Sequence, residues 1–232
     1  VNFDLIFRHA PDLLRGVWTT LWLTGSSLAV GLVLAVICAV ILTERIPVLE
    51  WLVRGFVYVF RGTPLLVQLY LVYYGLSQFP EIRRSFLWPW LREPWFCALL
   101  VFALNTAAYT TEILRGAIAN LRRGELEAAV AYGMSPFTRL RRIVLPAAFR
   151  QALPQYSNEV VFMLHGSAIA SVITIQDILG VGRTINARYY VTYEGFVSAA
   201  VLYLAVTFVV VAIFRQLEKR LMRHLAPVAA PR

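Results

Sequence analysis

Charge is what this sequence has least of. Its 232 residues include 22 Lys and Arg and 13 Asp and Glu, so 15% are charged, where an ordinary soluble domain carries about 25%. So few charged side chains cannot wrap several all-round apolar helices in a soluble fold, which excludes a cytosolic helical protein. Cysteine is nearly absent. Cys38 and Cys97 both sit in apolar tracts, so small apolar packing is the reading and neither a disulfide framework nor a metal site is expected. No Gly-x4-Gly-Lys-Ser/Thr run occurs, so the usual phosphate cradle for ATP is missing from this chain. Alternating segments of ~10 residues are also missing, which excludes a membrane barrel. No small-residue cleavage site follows the first apolar run. The first 16 residues therefore read as a short amphipathic lead-in on the membrane surface, carried by Phe3, Leu5, Ile6, Phe7, Leu13 and Leu14, rather than as a signal peptide.

What is abundant is hydrocarbon, at 59% of residues. It collects in five tracts free of Asp, Glu, Lys and Arg, at residues 17–43, 62–80, 94–111, 160–176 and 195–214. Tracts of about 18 or more such residues read as membrane spans. With helix ends allowed for, the spans are placed at 17–43, 60–80, 94–114, 158–176 and 195–215, in one transmembrane domain covering 1–232. The fold class is all-α integral membrane. The segments after spans one, three and five hold fifteen of the 22 basic residues, from Arg45 through Arg223 and Arg232; the opposite side holds seven. A basic excess marks the cytoplasmic side, so the N-terminus is placed outside and the C-terminus inside. The same placement accounts for the +9 net charge without a nucleic-acid partner, because the charge flanks spans instead of forming a folded basic domain.

Between the spans, Ile46-Pro47 ends the first helix. Residues 49–60 are apolar apart from Glu50 and Arg54 and lead toward span two, with a turn signal at Arg61-Gly62-Thr63-Pro64. Trp88 and Trp90 in the outer loop read as interfacial anchors. The longest hydrophilic stretch, residues 112–159, lies on the basic side. Glu125 to Ala131 is a strong helix former, Gly133 stops it, and Ser135 caps a second short helix with Pro136 in its first turn, ending near Pro146. A basic hairpin lying on anionic lipid explains Arg139, Arg141, Arg142 and Arg150. It does not explain Glu127, Ala128, Ala129, Gly133 and Leu145-Pro146 together, which suit docking in a partner's groove.

Residues 127–146, EAAVAYGMSPFTRLRRIVLP, resemble the EAA signature of permease subunits of bacterial ATP-binding-cassette importers, through Glu127, Ala128, Ala129, Gly133, Ile143, Leu145 and Pro146. Arg61-Gly62-Thr63-Pro64 with Gln68, Asn105-Thr106, Ala108 to Ile113, Leu153-Pro154, Tyr156 to Val160, Met163-Leu164-His165 and the tail from Ala199 to Arg220 are similar to the branch importing histidine, lysine, arginine, ornithine and opines. The resemblance, over nearly the whole chain, is to the M-type subunit of that branch. The resemblance implies a type I importer permease fold with a cytoplasmic coupling loop at 122–150. It implies a homologous second permease subunit, two ATPase subunits that bind ATP and Mg, and a periplasmic solute-binding protein. No cofactor is implied in this chain, and no enzymatic role.

Polar side chains inside spans are costly in lipid and mark a solute path. Gln68, Asn105, Tyr109, Glu112, Asn158, Glu159, His165 and Gln176 qualify. Glu112 and Glu159 are the acids available to a cationic solute, but each lies near a span end where an arginine partner serves as well. Asn105 and Tyr109 share a helix face, His165 suits an interhelical hydrogen bond, and Asn158 suits a helix cap. The solute expected is a cationic L-amino acid or an opine. The alternatives left open are another polar amino acid such as glutamine or glutamate, a channel or secondary transporter, and a purely structural membrane subunit.

Overall fold

A computed structural model describes residues 3–222; Arg223 and Arg232, counted above in the charge asymmetry, lie outside the described residues. The chain is helical throughout that range. In order come α1 (Phe3–Arg8), α2 (Ala10–Thr43), α3 (Leu49–Gly62) and α4 (Leu65–Tyr70), the last prolonged by a π turn at Leu71–Gly75 and a 3-10 turn at Leu76–Gln78. Two short outer helices follow, α5 (Pro80–Arg83) and α6 (Trp88–Leu91), then α7 (Pro94–Ala119). Next are α8 (Arg123–Ala131) and α9 (Pro136–Arg139), then a π turn at Leu140–Val144 that runs into α10 (Leu145–Gly166) and a 3-10 stretch at Ser167–Ile173. The chain closes with α11 (Ile178–Tyr189) and α12 (Glu194–Leu221).

Three helices, α2, α7 and α12, are long and apolar enough to cross a membrane singly; counting two bent pairs as one span each gives up to five. The 34 residues of α2 reach about 51 Å at 1.5 Å per residue, beyond the ~30 Å hydrocarbon layer. The centre of the bundle is α7, whose most apolar stretch is 72% buried, against 28% for α2 and 11% for α12. Around it Leu23, Leu28, Val101, Phe102, Val160 and Met163 form the main cluster. Small residues bring helices close at a second cluster, Ala35, Ala39, Ala117, Ala148 and Ala152, the usual route to van der Waals contact where lipid supplies no hydrophobic drive. Helix α11 crosses α12 at close range. A Cβ at Gly182 would lie 2.6 Å from the Gly195 carbonyl oxygen, so both positions need glycine for the approach.

Spans two and four differ from their expected shape. Residues 49–60 do not run on into span two. Thr63 is extended and Pro64 offers no N–H, so the helix ends at Gly62 and restarts at Leu65, turned by 107°. Nor does Pro146 end the helix before it. It falls in the first turn of α10, directly after the π turn at 140–144, where the wider helix accommodates a proline ring next to the carbonyls of the preceding turn. The fourth span is therefore prolonged backward to Leu145, and Asn158 lies inside α10 rather than at its cap. The lead-in also packs inward in part: Leu5 and Leu13 are buried with Val181 and Ile185 of α11, while Phe7 and Leu14 face outward.

Candidate solute path and coupling loop

The break between α3 and α4 leaves backbone carbonyls without helical partners, and buried orphan carbonyls are costly. Polar side chains of the path supply the missing donors. Gln68 Nε2 donates to the carbonyls of Phe60 (2.9 Å) and Thr63 (3.0 Å), and lies 2.8 Å from Thr63 Oγ1. Asn105 Nδ2 donates to Gln68 Oε1 (3.1 Å) and to the Phe60 carbonyl (3.3 Å). Tyr109 Oη donates to the Arg61 carbonyl at 3.4 Å. Three residues read from sequence as solute-facing thus hold the bend together. Asn105 and Tyr109 share a face of α7 but both turn toward α3 and α4.

A cavity of about 750 Å³ opens beside this bend. Arg61, Asn105, Tyr109, Glu112, Asn158 and Glu159 are among its lining residues, with Phe162 and Met163 as its apolar wall. The two acids differ in kind. Glu112 is engaged by Arg115 at 2.6 Å and lies 4.0 Å from Arg61, whose guanidinium is also stacked 5.3 Å over the Tyr109 ring. Glu159 is 7% exposed, and its carboxylate accepts one hydrogen bond, from Thr106 Oγ1 at 2.8 Å. No basic side chain lies within ion-pair distance of Glu159 among the described residues. The cavity therefore contains one acid in direct ion pairs and one with no basic side chain within ion-pair distance, though Arg61 lines the same cavity.

Two residues of the expected path lie elsewhere. His165 Nε2 is 3.0 Å from Thr207 Oγ1 and makes a bond between α10 and α12. Gln176 accepts from Thr184 Oγ1 at 3.2 Å, in a separate small cleft with His9, Asp12 and Arg188.

Sequence reasoning missed Asp177. It is fully buried and caps α11: Oδ1 accepts from the Gly180 N–H (2.7 Å) and Oδ2 from Tyr203 Oη (2.9 Å), while the neighbouring Ile178 N–H donates to Thr20 Oγ1 (3.2 Å). One acid thereby ties the start of α11 to α12 beside its junction with α2. The Asp preceding Ile-Leu-Gly is a cap signal in the sequence; its partner at Tyr203 is visible only in the fold. Both cysteines are free, and Cys97 Sγ donates to the Leu91 carbonyl at 3.0 Å.

The loop between α7 and α10 follows the expected hairpin. Gly133 has φ +73° and ends α8. Its N–H donates to Val130 and that of Met134 to Ala129, the Schellman pair that a left-handed residue at this position permits. Ser135 caps α9, accepting from the Thr138 N–H at 3.3 Å. Of the signature residues Ala129 is buried, Ile143 and Leu145 are half-buried, and Glu127, Ala128, Gly133 and Pro146 are exposed. Beside them Val130, Tyr132 and Phe137 stand 55%, 87% and 70% exposed, more apolar surface than a free loop would show to water.

Residues 28–223 match the family model described as binding-protein-dependent transport system inner membrane component. The chain is 47% identical over 206 residues to an octopine transport system permease protein of Rhizobium radiobacter, covering 89% of this chain and 84% of that one. It is 44% identical over 213 residues to the histidine/lysine/arginine/ornithine transport system permease protein of Escherichia coli, covering 91% and 90%. Among solved structures it is similar to a chain of an amino acid ABC transporter with histidines, with a TM-score of 0.84 and 30% identity over 95% of this chain and 99% of that one.

Proposed function

Since the chain belongs to the family of binding-protein-dependent transport system inner membrane components, we propose that it carries a cationic L-amino acid or an arginine-derived opine inward. The chain is a multi-pass inner-membrane permease subunit of an ABC-type importer, and ATP hydrolysis belongs to a separate chain. The named solutes of its relatives support the cationic reading, octopine in one and histidine, lysine, arginine and ornithine in the other.

The observation that carries the reading is Glu159. A cation leaving water needs an opposite charge or several oriented acceptors. Glu112 is committed to Arg115 and Arg61, so Glu159 is assigned the cation, with Asn158 beside it at the cavity wall. Gln68, Asn105 and Tyr109 keep the bend in shape around that site. His165 serves the α10–α12 contact.

The proposed arrangement has the N-terminus periplasmic and the loop 122–150 cytoplasmic, as the basic asymmetry requires. The spans are 17–43, 60–80, 94–114, 158–176 and 195–215, with the second bent near Pro64 and the fourth begun earlier. Glu127, Ala128, Ala129, Gly133, Ile143, Leu145 and Pro146 couple the chain to the ATPase. The second permease subunit is a distinct homologue, completed by two ATPase subunits and a soluble binding protein. Coupling needs only that loop and ATPase bind differently in two states of the bundle.

The test is uptake of labelled arginine, histidine, octopine, glutamate and glutamine, side by side, by the complete reconstituted complex. Cationic amino acids or the opine are expected to dominate. Preference for glutamate or glutamine would remove the cationic assignment and leave a polar amino acid importer.

A further inference from the structure

A second cavity, of about 560 Å³, lies on the other side of α10 from the solute path. Its walls are Leu32 of α2, Leu153 and Tyr156 of α10, and Phe214 and Leu217 of α12, with Arg150 among them. The Tyr156 and Phe214 rings meet edge to face at 6.3 Å within it. Apart from the Tyr156 and Thr110 hydroxyls and Arg150, its walls are hydrocarbon. It shares Pro146 and Arg150 with the end of the loop 122–150 and none of the solute-path residues.

Arg150 is half-buried and has no acid within ion-pair distance among the described residues. A partly buried guanidinium without a counter-charge is unfavourable, and the fork geometry of Arg matches a phosphate. On α12 the cleft's own walls are partly uncovered, with Leu217 and Leu221 38% and 43% exposed. An occupant must therefore be hydrocarbon along its length, anionic at one end, and present in the bilayer.

We propose that this cleft holds an acyl chain of an anionic phospholipid of the cytoplasmic leaflet, with the phosphate on Arg150. The volume favours a chain over a neighbouring helix. A helix ~10–12 Å across fills about 500 Å³ in a single turn, so a partner helix covers the cleft instead of entering it. The leaflet follows from the placement of residues 145–156 toward the cytoplasmic side, and on this point the inference rests on the proposed topology. Anionic lipid is enriched at that surface and attracts basic side chains there. A lipid held here lies between α10, which continues from the coupling loop, and α12.

The purified, delipidated complex with its partner subunits is titrated with phosphatidylglycerol and with phosphatidylcholine of the same chains, and bound lipid is counted by native mass spectrometry. Phosphatidylglycerol is expected to bind about tenfold tighter, the worth of one charge-assisted contact. Arg150→Gln is expected to remove that preference, Arg150→Lys to restore part of it, and Leu217→Trp to weaken both lipids by filling the cleft. Equal binding of the two lipids, preference unchanged in Arg150→Gln, or no effect of Leu217→Trp overturns the proposal. So does an assembled complex that retains no lipid, as it would if the second permease subunit covered the cleft. The titration uses neither solute nor ATP, so failure of the cationic-solute reading in uptake assays leaves its outcome intact.

Discussion

The proposed coupling loop and the proposed solute cavity are built on opposite plans. The loop is contiguous: every residue that shapes it lies between 122 and 150, and each does a local job, Gly133 as a left-handed stop and Ser135 as a cap. The cavity is assembled from Arg61, Asn105, Glu112 and Glu159, on three helices nearly a hundred residues apart. In the loop Glu127, Ala128, Tyr132, Gly133 and Phe137 are exposed. In and beside the cavity several polar groups are already used, Asn105, Tyr109 and the adjacent Gln68 by the broken helix and Glu112 by two arginines. The difference teaches that polarity within a span is not by itself a mark of solute contact. A bend at membrane depth consumes donors, and the solute is left with what the bend does not need.

The contrast is tested most severely at Gly133. Gly133→Val places a β-branched residue at φ +73°, where even an unbranched residue costs about 1–2 kcal/mol. The loop surface is expected to shift while the cavity stays intact. Proteoliposomes carrying the variant should lose transport by about tenfold or more while solute still binds with unchanged affinity. Normal transport per ATP in this variant contradicts the coupling assignment.

Glu159→Gln is the converse. It removes one charge from the cavity and leaves the loop untouched. Loss of a charged hydrogen bond of about 1.5–3 kcal/mol should raise the half-saturating arginine concentration roughly ten- to a hundredfold. ATP consumed per arginine should not change. Glu112→Gln should move the same quantity far less, because its partners are Arg115 and Arg61. A larger effect at Glu112 reverses the roles given to the two acids.

Gln68→Leu separates scaffold from site. It strips the side-chain donor from the Thr63 carbonyl and one of two from the Phe60 carbonyl, at about 1–3 kcal/mol for an acceptor left unpaired. The melting temperature of the complex should fall by several degrees, at roughly 2–4 °C per kcal/mol for a chain of this size, with the ranking of solutes preserved. A changed ranking at unchanged stability makes Gln68 a solute contact. The smallest effect is expected from Thr106→Val, which removes the neutral donor to Glu159. One such bond is worth about 0.5–1.5 kcal/mol, so the affinity for arginine should move by only a few fold.

How much of this was legible beforehand follows the same division. The continuous apolar runs at 17–43, 94–111 and 195–214 appear as the long helices α2, α7 and α12. The loop was legible because caps, turns and small residues act on their sequence neighbours. The second and fourth spans were read only in outline. Pro64 and Pro146 look alike in sequence, yet one turns the chain by 107° and the other rides on a π turn in a helix that continues. Backbone hydrogen bonding decides between these outcomes, and its partners come from elsewhere in the chain. The engagement of Gln68 and Asn105 was hidden for that reason. Asp177 escaped because its partner Tyr203 is 26 residues away and Thr20, which receives the Ile178 N–H, is 158 residues from Ile178.

The division of labour within the cavity is tested most directly by a density map of the complete complex loaded with arginine. The account predicts a cationic group of the solute within hydrogen-bond distance of the Glu159 carboxylate, with Glu112 still paired to Arg115 and Gln68 still bonded to the bend. Solute lying against Glu112 with Glu159 empty-handed, or held wholly by the second permease subunit, would contradict it.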